Sequence, residues 1–413
     1  MKYVVVIGDG MGDWPLAELN GKTPLQIADK PNIDNLTLKG RAGLLQTVPE
    51  ALNPGSDVAN MSIFGYNPLE YYSGRGPLEA GGINIKLSKD EVVFRCNLIT
   101  EEDGRLMSSN AGHIGSQEAK VLINHLNRSL MDENNEFGKF LLDDMNSDNL
   151  NTPIFHGGMD YKHLFVIQDV LLSKVDLTPP HDILGEEING YLSLGVEGET
   201  IKNLILQSKD VLENHPINKK RVKQGKNPAN MIWLWGQGLK PKLPLFKDIH
   251  GVNGSVITGV DLLKGIGVFA GLDIINVPGA TAFYDTDYKA KGRYGVDNLE
   301  KQDVQFIHIE SPDEAGHDGN VEEKIKAIER IDKHIVGQIL DNINNYEDYK
   351  IAVLPDHFTP IATRTHSRDP VPLAIYSSTN VPDEVKVYDE SSVVDGSLNM
   401  DKGYNLVKRL LDH

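Results

Sequence analysis

One cysteine, Cys96 in VVFRCNLI, is all the thiol chemistry the chain carries. It can form no internal disulfide, and the apolar run around it reads as a core strand in a reducing compartment. No stretch approaches the roughly 18 apolar residues needed to cross a bilayer, and MKYVVVIGDG is too short an apolar run, with no small-residue cleavage site, to be a secretion signal. The expectation is a soluble, cytoplasmic protein with no membrane partner. Positive charge is also scarce: 41 Lys and Arg stand against 59 Asp and Glu, a formal net charge of −18. Such a chain repels nucleic-acid phosphates and anionic lipids, so neither is an expected partner. A phosphate-bearing substrate then requires a local cationic pocket or metal ions. Repeats and low-complexity tracts are absent as well.

What is present is an ordinary globular composition, 40% hydrophobic and 24% charged, over 413 residues. At about 100–200 residues per domain that length predicts two domains or three. YVVVIG (3–8), VQFIHIE (304–310) and YKIAVL (349–354) are short, β-rich and apolar on both faces, the pattern of buried parallel strands. Between the last two, Ile325, Ile328, Ile331, Ile335, Ile339 and Ile343 recur every three or four residues and mark an amphipathic crossover helix. VDLLKGIGVFAGL (260–272) predicts another helix, DIINV a short strand and PLAIYS (372–377) a further one. The two ends of the chain therefore describe one α/β sheet covered by helices. The middle differs: strands EVVFRCNLIT, HLFVIQ and MIWLW alternate with a helix near 116–130 and polar loops at 132–152 and 209–227. The expected division is a discontinuous core domain, 1–84 and 251–413, interrupted by an inserted domain, 85–250, with GRGPLEAGG (74–82) and HGVNGS (250–255) at its borders. The GQG after MIWLW resembles a Gly-rich turn, and Trp233 and Trp235 read as core residues.

In open α/β sheets ligands bind beyond the carboxyl ends of the strands. The residues that follow the three strands are Asp9 in GDG, Asp313 and His317 in ESPDEAGHDG, and Asp356 with His357 in LPDHFTP; His366 in TRTHSRDP comes shortly after. Each is an unremarkable turn or loop residue alone, but together at one sheet edge they offer the oxygen and nitrogen donors that suit Mn²⁺ or Zn²⁺, with enough of each for two ions. Two metals about 3.5–4 Å apart clamp the attacking and leaving oxygens of a phosphoryl transfer. A serine then acquires a role. In NPGSDVAN (53–60) Ser56 follows a glycine that lets the backbone approach closely, and a hydroxyl beside a cation becomes a nucleophile at neutral pH. Ser62 competes, but NMSIFGY reads as the start of a helix that packs apolar side chains, so Ser56 is preferred.

At these residues the chain resembles the alkaline phosphatase superfamily, and within it the archaeal-type, cofactor-independent phosphoglycerate mutases. The resemblance rests on GDGMGD, NPGSDVANMSIFGYNP, YYSGRGPLEA, FRCNL, NAGHI, NPANMIWLWGQG, GVDLLKGIG, ESPDEAGHDG and LPDHFTP, and covers nearly the whole chain. It implies an α/β, alkaline-phosphatase-like core with a mostly parallel sheet flanked by helices, and an inserted smaller α/β cap. It also implies Asp9, Ser56, Asp356 and His357 as ligands of one divalent ion and Asp313, His317 and His366 of the other; Mn²⁺ or Zn²⁺ is expected, with Co²⁺ or Mg²⁺ as alternatives. Ser56 would take the phosphoryl group of 3-phosphoglycerate and return it to the 2-hydroxyl of trapped glycerate, with no 2,3-bisphosphoglycerate. His113 resembles the family's proton shuttle or substrate contact. Arg95 would bind the substrate carboxylate, with Asp103 as a further cap group, and Arg75 would be a phosphate contact on the core side. Lys289, Lys291 and Arg293 in DTDYKAKGRYG would form the cationic patch that the acidic chain otherwise lacks. The alternative is a sibling chemistry, a phosphopentomutase-like enzyme or a phosphomonoesterase.

Overall fold

The computed structural model describes residues 1–132, 135–138, 153–379 and 381–412. The Asn/Asp-rich stretch read as a loop over 132–152 lies largely outside them. Strands β1 (Lys2–Gly8) and β2 (Arg41–Leu45) open the chain; β3 (Val92–Glu102), β4 (Arg105–Ser108), β5 (Ile154–His156), β6 (Lys162–Ile167) and β7 (Met231–Leu239) form its middle. Then come β8 (Gly254–Ile257), β9 (Asp273–Ile274), β10 (Val304–Ile309), β11 (Tyr349–Leu354) and β12 (Val371–Ser377). The chain divides into two compact units, 1–72 with 242–413, and 73–241.

The first unit is built on a seven-stranded sheet in the order β2-β12-β11-β1-β10-β8-β9. β1 pairs in parallel with β10 on one side (Val4 opposite Gln305) and with β11 on the other (Val4 opposite Ile351). Every residue of β10 and β11 is buried, as a sheet covered on both faces requires. The PLAIYS strand is present as β12 and runs antiparallel to β11, whereas only Asp273 and Ile274 of DIINV pair as a strand. The isoleucine helix follows β10 as Val321–Ile331, a π-helical turn Asp332–Val336, and Gly337–Ile343. Ile328, Ile331, Ile335, Ile339 and Ile343 are fully buried, while Ile325 is only partly so. At about 1.5–3 kcal/mol for each buried side chain, that stripe anchors the crossover to the sheet. The π turn aims Asp332 at the helix Pro31–Lys39, whose Ile33 N–H it accepts at 2.7 Å.

The second unit centres on the long strand β3, which pairs antiparallel with β4, β6 and β7; β5 extends the sheet beyond β6. The helices Ser116–Leu130 and Gly195–Leu212 contribute their apolar faces to its core, where Trp233 and Cys96 are fully buried and Trp235 is 7% exposed. The division falls at 72/73 and 241/242, against 84/85 and 250/251 read from the sequence. GRGPLEAGG forms a helix, Arg75–Gly82, that packs on β3 and β7 and therefore belongs to this unit. At the other border Phe246 packs edge-on to Phe306 of β10, which ties that segment to the first unit. GQG is part of β7 and not a turn. Gly238 is needed there because a Cβ would lie 1.7 Å from the Ser73 carbonyl oxygen.

Candidate metal centre

Neighbouring strands β10, β1 and β11 end side by side and deliver Asp313, Asp9 and Asp356 to one edge. Asp9 is fully buried. Gly10 turns the chain behind it with φ 58°, and its N–H donates to Asp356 Oδ1 at 3.1 Å. A Cβ on Gly10 would fall 2.7 Å from Asp313 Cα and 2.5 Å from Thr359 Oγ1, so three strand-end loops close on this glycine.

Asp356 Oδ1 also accepts the His357 N–H at 2.9 Å, and its Oδ2 accepts the Asn60 amide at 2.7 Å. Asn60 stands one helical turn beyond Ser56 in the helix Ser56–Ile63. Ser56 is therefore the first residue of a helix that begins earlier than the start read from the sequence at NMSIFGY. Its Oγ lies 3.2 Å from His357 Nε2, at a helix N-terminus whose partial positive charge favours an anion. His357 Nε2 is in turn 3.4 Å from both Asp9 Oδ1 and Asp356 Oδ2.

ESPDEAGHDG is likewise helical, Ser311–Asp318, and this makes the weak D-x-x-x-H spacing meaningful. Four residues apart on one face, Asp313 Oδ2 and His317 Nε2 approach to 3.2 Å. His366 brings its Nε2 to 3.5 Å from Asp313 Oδ1 and 3.1 Å from His317 Nε2. His317 Nδ1 donates to the Arg364 carbonyl oxygen at 2.9 Å, so the neutral ring presents its Nε2 lone pair to a ligand. Three sets of donor atoms lie within 4.8 Å of one another: Asp313, His317, His366; Asp9, Asp313, His357; and Asp9, His308, Asp356.

Electrostatics show what the cluster is short of. Burial pushes the Asp9 carboxyl well above its ordinary range, and the Asp356, Glu310 and Asp313 charges push it further. Burial takes Glu310 up to about 7, against the effect of its contact with Asp9. It also takes His357 down to about 4 and His308 down to about 3, so both imidazoles are neutral. For Asp313, burial is outweighed by hydrogen bonds from His317 and His366, which hold the carboxyl well below its usual range; for His317, burial is outweighed in turn by the Asp313 contact and the Arg364 carbonyl, which lift it to about 9. Asp9 Oδ1 is buried and accepts no hydrogen bond among the described residues. Crowded carboxylates, neutral imidazoles and an orphaned oxygen fit divalent cations, which supply the missing positive charge.

The sequence reading missed His308, Asn60 and Thr359. Thr258 Oγ1 accepts the Val260 N–H at 3.0 Å and lies 3.2 Å from His308 Nδ1. On the other side of the ring, His308 Nε2 is hydrogen-bonded to Asp9 Oδ2 at 2.9 Å. A histidine inside the mostly apolar VQFIHI was the available signal, since a buried polar residue in a strand needs a partner. Thr359 Oγ1 donates to Asp313 Oδ1.

The other expected site residues are carried by other elements of the two units. Helix Tyr288–Asn298 separates the expected patch: Lys289 and Arg293 are exposed, whereas Lys291 is fully buried with its Nζ 3.1 Å from the His308 carbonyl oxygen. Burial pushes that ammonium down to about 8. In the second unit, Arg95 is buried on β3 with Nη1 2.8 Å from Glu79 Oε1 and its guanidinium 4.8 Å from the Trp235 ring; Arg75 shares Glu79 at 2.9 Å. His113 is exposed, with φ 54°. Asp103 and Gly104, both at positive φ, make the two-residue turn between β3 and β4.

A mostly parallel sheet with carboxylates, imidazoles and a hydroxyl gathered at the carboxyl edge of its parallel strands defines an α/β enzyme of the kind suited to divalent metals. The family model for 2,3-bisphosphoglycerate-independent phosphoglycerate mutase matches residues 38–218. A Methanothermobacter thermautotrophicus protein named 2,3-bisphosphoglycerate-independent phosphoglycerate mutase 2 is 49% identical over 100% of this chain and 98% of its own. One of that family name from Methanosarcina mazei is 49% identical over the whole of both chains. Among solved structures, a Pyrococcus horikoshii protein is similar with TM-score 0.80 and 31% identity, over 100% of this chain and 96% of that one. The cofactor-independent phosphoglycerate mutase of Thermoplasma acidophilum gives TM-score 0.62 and 26% identity, over 100% and 99%. The chain belongs to the 2,3-bisphosphoglycerate-independent phosphoglycerate mutase family, whose members are isomerases.

Proposed function

We propose that this protein interconverts 3-phosphoglycerate and 2-phosphoglycerate through a phosphoserine at Ser56, without 2,3-bisphosphoglycerate. The observation that carries the reading is the 3.2 Å approach of Ser56 Oγ to His357 Nε2 within the carboxylate–imidazole cluster. Asp9, Ser56, Asp356 and His357 would hold one divalent cation, and Asp313, His317 and His366 the second. Bound there, the cations lower the pKa of the serine hydroxyl and offset phosphoryl charge.

The chain's own groups do the rest. Asn60 and the Gly10 and His357 N–H groups hold the Asp356 carboxylate, and His308 holds that of Asp9. The first turn of the helix Ser56–Ile63 presents Oγ to phosphorus. As the O–P bond to Ser56 forms, the bond to the 3-oxygen of glycerate breaks and that oxygen takes up a proton. Glycerate reorients, its 2-hydroxyl loses a proton and attacks the same phosphorus, and Ser56 Oγ leaves. Water reaching the phosphoserine would turn the mutase into a phosphatase, so glycerate has to be held in a closed site. In this reading Arg95 and His113 contact substrate, and Lys289, Lys291 and Arg293 supply positive charge.

The test is turnover of 3-phosphoglycerate, coupled to enolase, by protein stripped with a chelator and reloaded with Mn²⁺. Enolase-coupled turnover that needs both Mn²⁺ and Ser56 is expected; release of inorganic phosphate alone refutes the mutase reading.

A further inference from the structure

The helix Val321–Ile331 buries Lys324, Ala327, Ile328 and Ile331 along one face. Three of these are apolar. The fourth, Lys324, has the position of a core residue and is 0% exposed. Its Nζ donates to Asp13 Oδ2 at 2.7 Å, to the Thr359 carbonyl oxygen at 2.8 Å and to the Gly12 carbonyl oxygen at 3.0 Å. An ammonium has three N–H donors and all three are used.

The acceptors belong to two loops. Gly12 and Asp13 continue the turn that carries Asp9 away from β1. Thr359 follows Asp356 and His357 after β11, and its hydroxyl donates to Asp313 Oδ1. Asp13 reinforces the tie, since its Oδ2 also accepts the Ile361 N–H at 3.2 Å and its own N–H donates to Glu390 Oε1 at 3.0 Å. An apolar side chain at 324 could fill the space but would leave two backbone carbonyls and a buried carboxylate without their donor.

We infer that Lys324 is a positioning residue for the metal centre: it locks the β1 and β11 loops together so that Asp9, Asp313, Asp356 and His357 keep the spacing that binds cations. This rests on the metal reading proposed above. Lys324 touches no donor atom itself, so its effect passes through the loops, and residues that orient ligands in this way change metal affinity about 10- to 100-fold.

Two full-length variants test it. Lys324→Met removes the ammonium. Because that leaves Asp13 buried and unpaired, Lys324→Met/Asp13→Asn removes the charge pair together, while the side-chain amide oxygen introduced by the second change can still accept the Ile361 N–H. Each is stripped with a chelator and titrated with Mn²⁺ by calorimetry, with the unfolding midpoint measured alongside. The expected result is that the double variant stays folded at the assay temperature and binds Mn²⁺ about 10- to 100-fold more weakly, with part of its turnover restored at high Mn²⁺. Wild-type affinity in a folded variant overturns the inference. So does weakened binding only in protein that has unfolded, because that assigns Lys324 a purely structural role. If the wild type itself binds no Mn²⁺, the metal reading fails and this inference with it, an outcome recognisable from the wild type alone.

Discussion

Replacing Gly10 by alanine adds one methyl group where the β1, β10 and β11 loops meet. Two costs are separable. The φ of 58° lies in the left-handed region, which costs an L-residue about 1–2 kcal/mol. The new Cβ would also sit 2.7 Å from Asp313 Cα, a backbone atom that cannot rotate away, and 2.5 Å from Thr359 Oγ1. Overpacking of this kind adds about 1–3 kcal/mol. Gly21 is the internal control in the same unit: its φ is 78° and nothing lies within 4 Å of a Cβ there, so Gly21→Ala carries the backbone cost alone. Urea unfolding should therefore show about 1–2 kcal/mol lost in Gly21→Ala and about 2–5 kcal/mol in Gly10→Ala. Only the second should lose mutase turnover, because relief of the clash moves Asp313 and the Gly10 N–H that holds Asp356. Equal losses in the two variants, or full turnover by Gly10→Ala, would refute the claim that the loops close on this glycine.

Ser56→Ala should lower mutase turnover by roughly 10⁴-fold or more, leave the circular dichroism unchanged and abolish phosphoryl labelling of the protein by labelled substrate. In the second unit, burial pushes His163 from 6.5 down to about 4, with its Nδ1 accepting the Gly158 N–H at 3.0 Å. A lowered folded-state pKa means the unfolded chain binds the proton first, so the stability is complete above pH ~6.5 and is lost as pH falls through ~4, on the order of 3 kcal/mol in all. His163→Asn should flatten that part of the pH–stability curve, and an unchanged slope between pH 4 and 6.5 would contradict it. Trp233→Ala removes a fully buried side chain whose Nε1 donates to the Thr178 carbonyl oxygen at 2.9 Å. It should cost about 3–5 kcal/mol by denaturant titration; a loss below about 1 kcal/mol would mean the site collapses freely.

Much of the first unit was readable because its information is local. Apolar runs at 3–8, 304–310 and 349–354 could only be strands covered on both faces, and strands of that kind place the next residue at the ligand-binding edge. Asp9, Asp313 and Asp356 follow directly. Ser56 was singled out for its chemistry, but its setting was misread: Pro54 and Gly55 look like a loop, and nothing in the short SDVANMSI pattern announces a helix with all its residues buried. His308 was hidden for the opposite reason, because a strand read as uniformly apolar leaves no place to look for a polar contact. Lys324 was concealed by periodicity, since a charged residue in an amphipathic helix is assigned to solvent unless its phase is compared with that of Ile328 and Ile331. The unit borders were displaced because the glycines of GRGPLEAGG signal a hinge equally well as they signal a helix pressed against β3 and β7.

The place of β1 between β10 and β11 bears on how this molecule is made. Val4 pairs with residues 305 and 351, so at a synthesis rate of about 5–20 residues per second a strand greasy on both sides emerges roughly 15–60 s ahead of its first neighbour. During that interval a chaperone or the nascent chain's own collapse has to cover it, and the chemistry at its tip cannot assemble before His366 has been made.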